Sequence, residues 1–291
     1  MKSQHHQLVG IIGHPISHTL SPAMHTAAFD ALRLPFKYGV FDVIDEFLPA
    51  LFASLRKNGF TGVNVTTPYK EHVIPLLDSV DENVAAIGAV NTVVNRDGRL
   101  TGYNTDVMGI QQTLEPFKER ICNASVFVLG AGGGARAAVY AISKNFSPAS
   151  VRLYNRTASR ARAIVDQFKK IFPTVIYENV SDLKTLPALI ADSVLVVNTT
   201  SLGMTPNVDT LPLPSMIRFS NQQIIFDIIY TPIETALIQK AKADGAETVN
   251  GVEMFVYQGA WAFQLWTGKP FPVDIARQAV LKALAPARTD V

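Results

Sequence analysis

Residues Ser125 to Ile142 constrain the chain more than any other stretch. They run Ser125-Val126-Phe127-Val128-Leu129-Gly130-Ala131-Gly132-Gly133-Gly134-Ala135-Arg136-Ala137-Ala138-Val139-Tyr140-Ala141-Ile142. A short apolar run, a glycine cluster and an alanine-rich segment without a breaker predict a buried strand, a tight turn and a helix. Gly130, Gly132 and Ala135 fit the pattern G-x-G-x-x-G/A. That pattern brings a dinucleotide pyrophosphate onto a helix N-terminus, where unpaired N–H groups and the helix dipole favour anionic oxygen. Ala131, Gly133 and Gly134 complete the expected cofactor loop. A glycine turn between strand and helix is common, so the match by itself is weak.

The next element sharpens it. Ser150 to Thr157 reads as a second strand, ending about where a ribose-reading side chain should fall. An NAD site places Asp or Glu there, whereas this chain has Asn155, Arg156, Thr157 and, one turn into the following helix, Arg160. Two guanidinium groups and no carboxylate suit a 2′-phosphate, because Arg forms bidentate charge-assisted bonds to phosphate oxygens. The expected cofactor is therefore NADP. The alternative is that Arg156 and Arg160 only line a solvated helix face.

With 291 residues, 48% hydrophobic and 17% charged, the chain can fill the cores of two ordinary domains. A net charge of +2 without blocks of like charge favours neither nucleic acid nor an anionic membrane as partner. The single cysteine, Cys122, excludes an internal disulfide and fits a reducing cytoplasm. The polar segment Met1 to Gln7 and the brief apolar run ending at Gly13 fit neither a secretory leader nor a membrane span. No metal is expected. His14 and His18 have helix-like spacing, but Pro15 and the following loop disfavour a helix there, and no Cys or Glu completes a ligand set. His5 and His6 read as a solvated terminus.

Along the chain, Leu8 to Ile12 is a short strand, followed by a hydroxyl-rich loop and a helix that Pro22 can open. Phe36 to Val43 alternates like a strand, Phe47 to Asn58 reads as an amphipathic helix, and Gly62 to Thr66 as a third strand. This order implies a mainly parallel sheet with crossover helices and a ligand beyond the C-terminal strand ends. Asp97-Gly98 marks a hairpin between Ala89–Arg96 and Leu100–Tyr103. Val107 to Leu114 reads as the helix leading into the second domain, whose strands fall near 126, 151, 174, 194 and 224. Glu253 to Leu265 and the segment after Pro272 read as helices that return to the first domain. The joints fall near 105 and 250, giving 1–105 with 251–291 as one domain and 106–250 as the other.

Polar groups in excess of loop needs gather at Thr19 and Ser21, at Asn64 to Lys70, and at Asn91 with Asn104-Thr105-Asp106. Brought together, they would suit a small, hydrogen-bond-rich polyol acid. Several ordered motifs then resemble the shikimate dehydrogenase family. They are Gly13-His14-Pro15-Ile16 with Ser21-Pro22, Asn64-Val65-Thr66 with Pro68 and Lys70, Gly88 to Thr92 and Gly102 to Asp106. The series continues through Gly130 to Ala135, Asn155-Arg156-Thr157, Asn198 to Met204, Asp227 to Tyr230 with Pro232, and Gly251 to Gln258. The resemblance implies an α/β chain: an N-terminal α/β substrate domain, a Rossmann-type NADP-binding domain, and C-terminal helices returning to the first. It also implies reversible reduction of 3-dehydroshikimate to shikimate with NADPH, in aromatic amino-acid biosynthesis, by a monomer or homodimer.

Carried over by motif, Lys70 and Asp106 match the family's catalytic pair, which also touches substrate. Thr19, Ser21, Asn64, Thr66, Asn91, Tyr230 and Gln258 match positions that hold the substrate carboxylate and ring hydroxyls. Thr199, Ser201, Met204 and Gly251 match the cofactor side, with Met204 near the nicotinamide and Gly251 leaving room for its ring. Oxidising a secondary alcohol requires a base at its hydroxyl. A lysine serves if desolvation lowers its pKa, an effect that a carboxylate partner opposes. Simpler readings stand beside these: Thr19 or Ser21 as helix caps, Asn64 and Thr66 as strand-end residues, Gln258 on a wet helix face, Met204 as core filling. The family usually has serine where this chain has Thr19, which leaves quinate or an aminoshikimate open as substrate. A nucleotide-binding sensor without turnover is the alternative from another class.

Overall fold

The computed structural model describes residues 6–16 and 18–285, and the chain falls into two compact units. One runs to Thr105 and resumes at Val256; the other is Asp106–Phe255. The expected joint near 250 falls a few residues early, because Val252–Thr267 is one helix with no breaker to mark a boundary.

The first unit contains β1 (Gln7–Gly13), α1 (Ser21–Ala31), β2 (Phe36–Asp42), α2 (Leu48–Lys57), β3 (Phe60–Val65), β4 (Ser79–Val80), α3 (Glu82–Ile87), β5 (Thr92–Arg96) and β6 (Arg99–Tyr103). Its six-stranded sheet has the order β2-β1-β3-β5-β6-β4. β1 pairs in parallel with β2 and β3, as the crossover helices require. β5 is antiparallel to both β3 and β6. The hairpin turn has Asp97 at φ 53° and Gly98 at φ 88°, the positive dihedrals of a type I′ turn.

Successive side chains on a strand face opposite ways, and β5 shows it: Val93 joins one apolar layer and Val94 the other. On the first face α2 buries Leu48, Phe52 and Leu55 against Ile12, Val63 and Val65. On the second lie Ala28 and Phe29 of α1 with Ala262, Phe263 and Trp266.

The second unit comprises α4 (Asp106–Leu114), α5 (Lys118–Ile121), β7 (Ser125–Leu129), α6 (Gly133–Phe146), β8 (Ser150–Tyr154), α7 (Ala158–Ile171), β9 (Ile176–Val180), α8 (Leu186–Ala191), β10 (Leu195–Asn198), β11 (Ile224–Asp227), α9 (Ala236–Ala243) and β12 (Glu247–Val249). After it come α10 (Val252–Thr267) and α11 (Val273–Leu284); α11 packs on α1 in the first unit.

All strands of the second sheet are parallel, in the order β9-β8-β7-β10-β11-β12. The order reverses between β7 and β10, and the glycine turn follows β7. In open α/β sheets the ligand crevice lies at such a switch point, outside the C-terminal strand ends. No described helix is long and apolar enough to cross a membrane.

Candidate active site

The glycines of the turn do different jobs. Gly130 has φ +111°, and a Cβ on it would stand 2.4 Å from Thr199 Oγ1. Thr199 is fixed there because its hydroxyl donates to Leu129 O at 2.6 Å. Glycine is thus required by backbone conformation and by close approach. Gly132 precedes the first turn of α6, and a Cβ there would meet nothing within 4 Å. That open space lies at the N-terminus of a fourteen-residue helix, whose leading N–H groups have no intrahelical acceptor. Gly133 and Gly134 form the first turn, and Ala135 is fully buried where a small side chain lets the helix lie close to the sheet. Ala131 is half-buried beside them. The turn therefore fits a pyrophosphate.

Beyond β8, Asn155 Nδ2 donates to Thr157 O at 2.9 Å and braces the turn. Arg156, Thr157 and Arg160 are exposed, and residues 155–160 contain no carboxylate. These two cations at the C-terminal end of a strand neighbouring the switch point fit a 2′-phosphate.

The loops after β10 and β11 share one buried pivot. Asn198 Nδ2 donates to Asp227 Oδ1 at 3.0 Å, while Asn198 Oδ1 accepts from Thr200 N and Oγ1. Asp227 also accepts from Ile229 N at 3.1 Å and Thr235 Oγ1 at 2.7 Å. Burial pushes the Asp227 carboxyl up to about 6, against the pull of these hydrogen bonds. Thr199, Ser201 and Met204 lie on the loop this pivot anchors. Met204 is 43% exposed, so it does not fill the core.

Tyr230 stacks on Phe255 with ring centroids 4.4 Å apart. Its hydroxyl is pushed up to about 12, first by burial and then by the negative charge of Asp106. Asp106, the first residue of α4, is buried at a position where a helix favours an anion. A Cβ on Gly251 would stand 2.2 Å from Ile228 O, so the absence of a side chain there also serves close packing of the chain against Ile228–Ile229.

In the first unit, Asn91 ties several candidates together. Its Oδ1 accepts from Thr105 N at 2.7 Å, Thr105 Oγ1 at 3.1 Å and Thr92 Oγ1 at 3.1 Å. Asn64 Nδ2 donates to Thr92 Oγ1 at 3.1 Å and Asn91 O at 3.3 Å, and Asn64 Oδ1 accepts from Tyr38 Oη at 2.7 Å. Lys70 is half-buried, and its carbonyl accepts from Val90 N at 2.7 Å. Thr66 closes the end of β3, with its N–H bonded to Ile12 O and its carbonyl to Tyr69 N. The strands of one sheet thus gather Asn64, Thr66, Lys70 and Asn91, and Asp106 follows Thr105 directly in sequence.

Thr19 Oγ1 accepts from Ser21 N at 3.3 Å, which supports the first turn of α1. The N-cap residue is Leu20, without a side-chain capping bond, so neither hydroxyl is a helix cap in the strict sense. Ser21 is buried, and Gln258 is half-buried on α10. His14 pairs with Asp42 at 2.6 Å, and Asp42 also accepts from Ile16 N, which braces the loop leading to Thr19. Sequence reasoning assigned nothing to His25 or Tyr38. The available signal was their apolar setting: His25 shares a helix face with Met24, Ala28 and Phe29.

A parallel sheet with a glycine turn at its switch point places the chain in the class of Rossmann-type α/β proteins. Known proteins narrow this. A family model for the shikimate dehydrogenase substrate-binding domain matches residues 11–93, and one for the shikimate 5′-dehydrogenase C-terminal domain matches 251–281. A shikimate dehydrogenase (NADP(+)) of Symbiobacterium thermophilum is 41% identical over 96% of this chain and 95% of its own length. The structure of shikimate 5-dehydrogenase from Thermus thermophilus, in complex with NADP(H) and shikimate, superposes with a TM-score of 0.84 at 33% identity, covering 96% of this chain and all of that one. A quinate dehydrogenase from Corynebacterium glutamicum in complex with NAD gives 0.86 at 33% identity, over 95% and 99% of the two chains. The chain belongs to the shikimate dehydrogenase family.

Proposed function

We propose that this chain is the NADP-dependent oxidoreductase that reversibly reduces 3-dehydroshikimate to shikimate, with Lys70 and Asp106 as its catalytic residues. The observation that carries the activity is the match, over almost the whole chain, to proteins named NADP(+) shikimate dehydrogenase. In this reading the unit Asp106–Phe255 holds the cofactor and the other holds the substrate.

Bound NADP+ supplies the hydride acceptor. Lys70, as the free amine, takes the substrate hydroxyl proton at Nζ and returns it in the reductive direction. Asp106 accepts a hydrogen bond from the same hydroxyl and orients it. Asn91 Oδ1 accepts from Thr92 and Thr105, which fixes the amide that Asn91 contributes to substrate binding. Both Nδ2 hydrogens of Asn64 are engaged within the protein, so Asn64 offers the second lone pair of Oδ1 to a ring hydroxyl. Thr19, Ser21, Thr66, Tyr230 and Gln258 hold the carboxylate and remaining hydroxyls.

Gly130, Ala131, Gly132, Gly133, Gly134 and Ala135 receive the pyrophosphate, and Asn155, Arg156, Thr157 and Arg160 the 2′-phosphate. Thr199, Ser201, Met204 and Gly251 face the nicotinamide end. The enzyme works in the cytoplasm as a monomer or homodimer, in keeping with an exposed, unpaired Cys122.

Steady-state assays with shikimate and quinate against NADP+ and NAD+ test this. The highest kcat/KM is expected for shikimate with NADP+. The double variant Arg156→Ala/Arg160→Ala should raise KM for NADP+ by roughly ten-fold or more, the equivalent of one lost charge-assisted contact, and leave NAD+ unaffected. A preference for quinate or for NAD+ would overturn the assignment.

A further inference from the structure

His25 is a buried polar group that the mechanism above does not use. It is wholly inaccessible to solvent, and neither ring nitrogen has a hydrogen-bond partner among the described residues. Unsatisfied buried nitrogens are unfavourable, and native proteins hold few of them. Burial pushes the imidazole down to about 3, so the ring is neutral at any working pH and contributes no charge.

The contribution of the ring is its flat face. It stacks on Tyr38 with centroids 4.7 Å apart and planes within 6° of parallel, and it meets Trp266 at 5.3 Å. Trp266 is held in turn, because its Nε1–H donates to Val93 O at 3.1 Å. Gripped by these rings, Tyr38 directs its hydroxyl to Asn64 Oδ1 at 2.7 Å. The opposite end of that amide is fixed by Thr92 and Asn91. A third element closes on the same ring: Gly259 of α10, directly after Gln258, has no side chain, and a Cβ there would stand 3.6 Å from His25 Nε2 and 2.1 Å from Met24 Cε. His25 itself lies one helical turn beyond Ser21 on α1.

We propose that His25 is a positioning residue for substrate binding, clamping Tyr38 so that the Asn64 amide presents its oxygen, with its second lone pair, to a substrate hydroxyl. A stable aromatic core would need only an apolar ring; what the stack adds here is a fixed tyrosine hydroxyl aimed at a binding amide. The inference rests on the reading that Asn64 holds shikimate.

Three variants of the full chain test it: Tyr38→Phe removes only the hydroxyl, His25→Leu removes the flat partner, and His25→Phe restores a flat partner without nitrogens. Tyr38→Phe and His25→Leu should each raise KM for shikimate by about ten-fold, the loss of roughly one hydrogen bond, with kcat and KM for NADP+ within about three-fold of wild type. His25→Phe should recover most of the loss, and adding His25→Leu to Tyr38→Phe should raise KM no further. Unchanged shikimate KM in Tyr38→Phe, or equal losses toward both substrates in His25→Leu, overturns the inference; if His25→Leu does not fold, Tyr38→Phe decides alone. Absence of shikimate turnover in the wild type defeats the functional reading itself, and this inference with it.

Discussion

The main chain of Lys70 is pinned by the bond its carbonyl accepts from Val90 N, so replacing its side chain leaves the anchor of that turn in place. Lys70→Ala should fold normally and lose kcat by roughly a hundred- to ten-thousand-fold, the usual worth of a general base, with a much smaller change in KM for shikimate. Near-wild-type turnover in that variant would remove the base role. Neither a lysine after a turn nor an aspartate after a strand is distinctive, and both residues were legible only as members of an ordered series of motifs. Apart from the neighbouring Thr92, the partners of Asn64 and Asn91 were not legible, since those bonds join residues 14 to 28 positions apart in the chain. His25 went unread because nothing in a sequence tells a core histidine from a surface one; its neutrality follows from burial alone.

At the level of elements, the strand–turn–helix at β7 and α6 was the most legible part of the chain, and its glycines are separable by experiment. Gly130→Ala forces a side chain into φ +111° and within 2.4 Å of Thr199 Oγ1. It should lower Tm and weaken NADPH binding together. Gly132→Ala adds a methyl to open space at φ −99°, so it should leave Tm unchanged while raising the Kd for NADPH by about ten-fold or more through a blocked close approach. Thermal melts beside NADPH fluorescence titration check the pair; equal behaviour of the two variants would contradict this division of roles. The short strands β4 and β12 escaped the sequence reading, as segments of two and three residues carry no periodicity. β9 begins at Ile176, slightly later than the expected position near 174, because strand ends are set by pairing with β8.

For the whole molecule, two buried groups give the stability curve opposite slopes. His25 has a folded value of about 3 against an ordinary 6.5. As pH falls below 6.5 the unfolded chain takes a proton that the native ring refuses, and stability declines by roughly 1.4 kcal/mol per pH unit. Asp227 has a folded value of about 6 against an ordinary 3.8. As pH falls from 6 toward 3.8 the native carboxyl takes a proton that the unfolded one refuses, so stability rises at a similar slope. The two oppose each other across that window and largely cancel in the wild type. Relative to wild type, His25→Phe should therefore gain stability as pH drops from 7.5 to about 4.5, whereas Asp227→Asn should lose it. Urea unfolding at the two pH values measures both differences, and differences that do not move with pH would show that neither group titrates as its burial requires.

The sequence by itself determined the order of the main strands and helices, the glycine turn between β7 and α6, and the family, since each is written in residues close together or in motifs kept in order. Only the tertiary structure decided that the hairpin strand β5 runs antiparallel to β3, that a side chain on Gly251 would meet the Ile228 carbonyl, and that Asn64 is held by Tyr38 and Tyr38 by His25. The physical reason is range. Propensity and periodicity act over a few residues, whereas burial and hydrogen-bond partnership exist only after distant segments have been packed against one another.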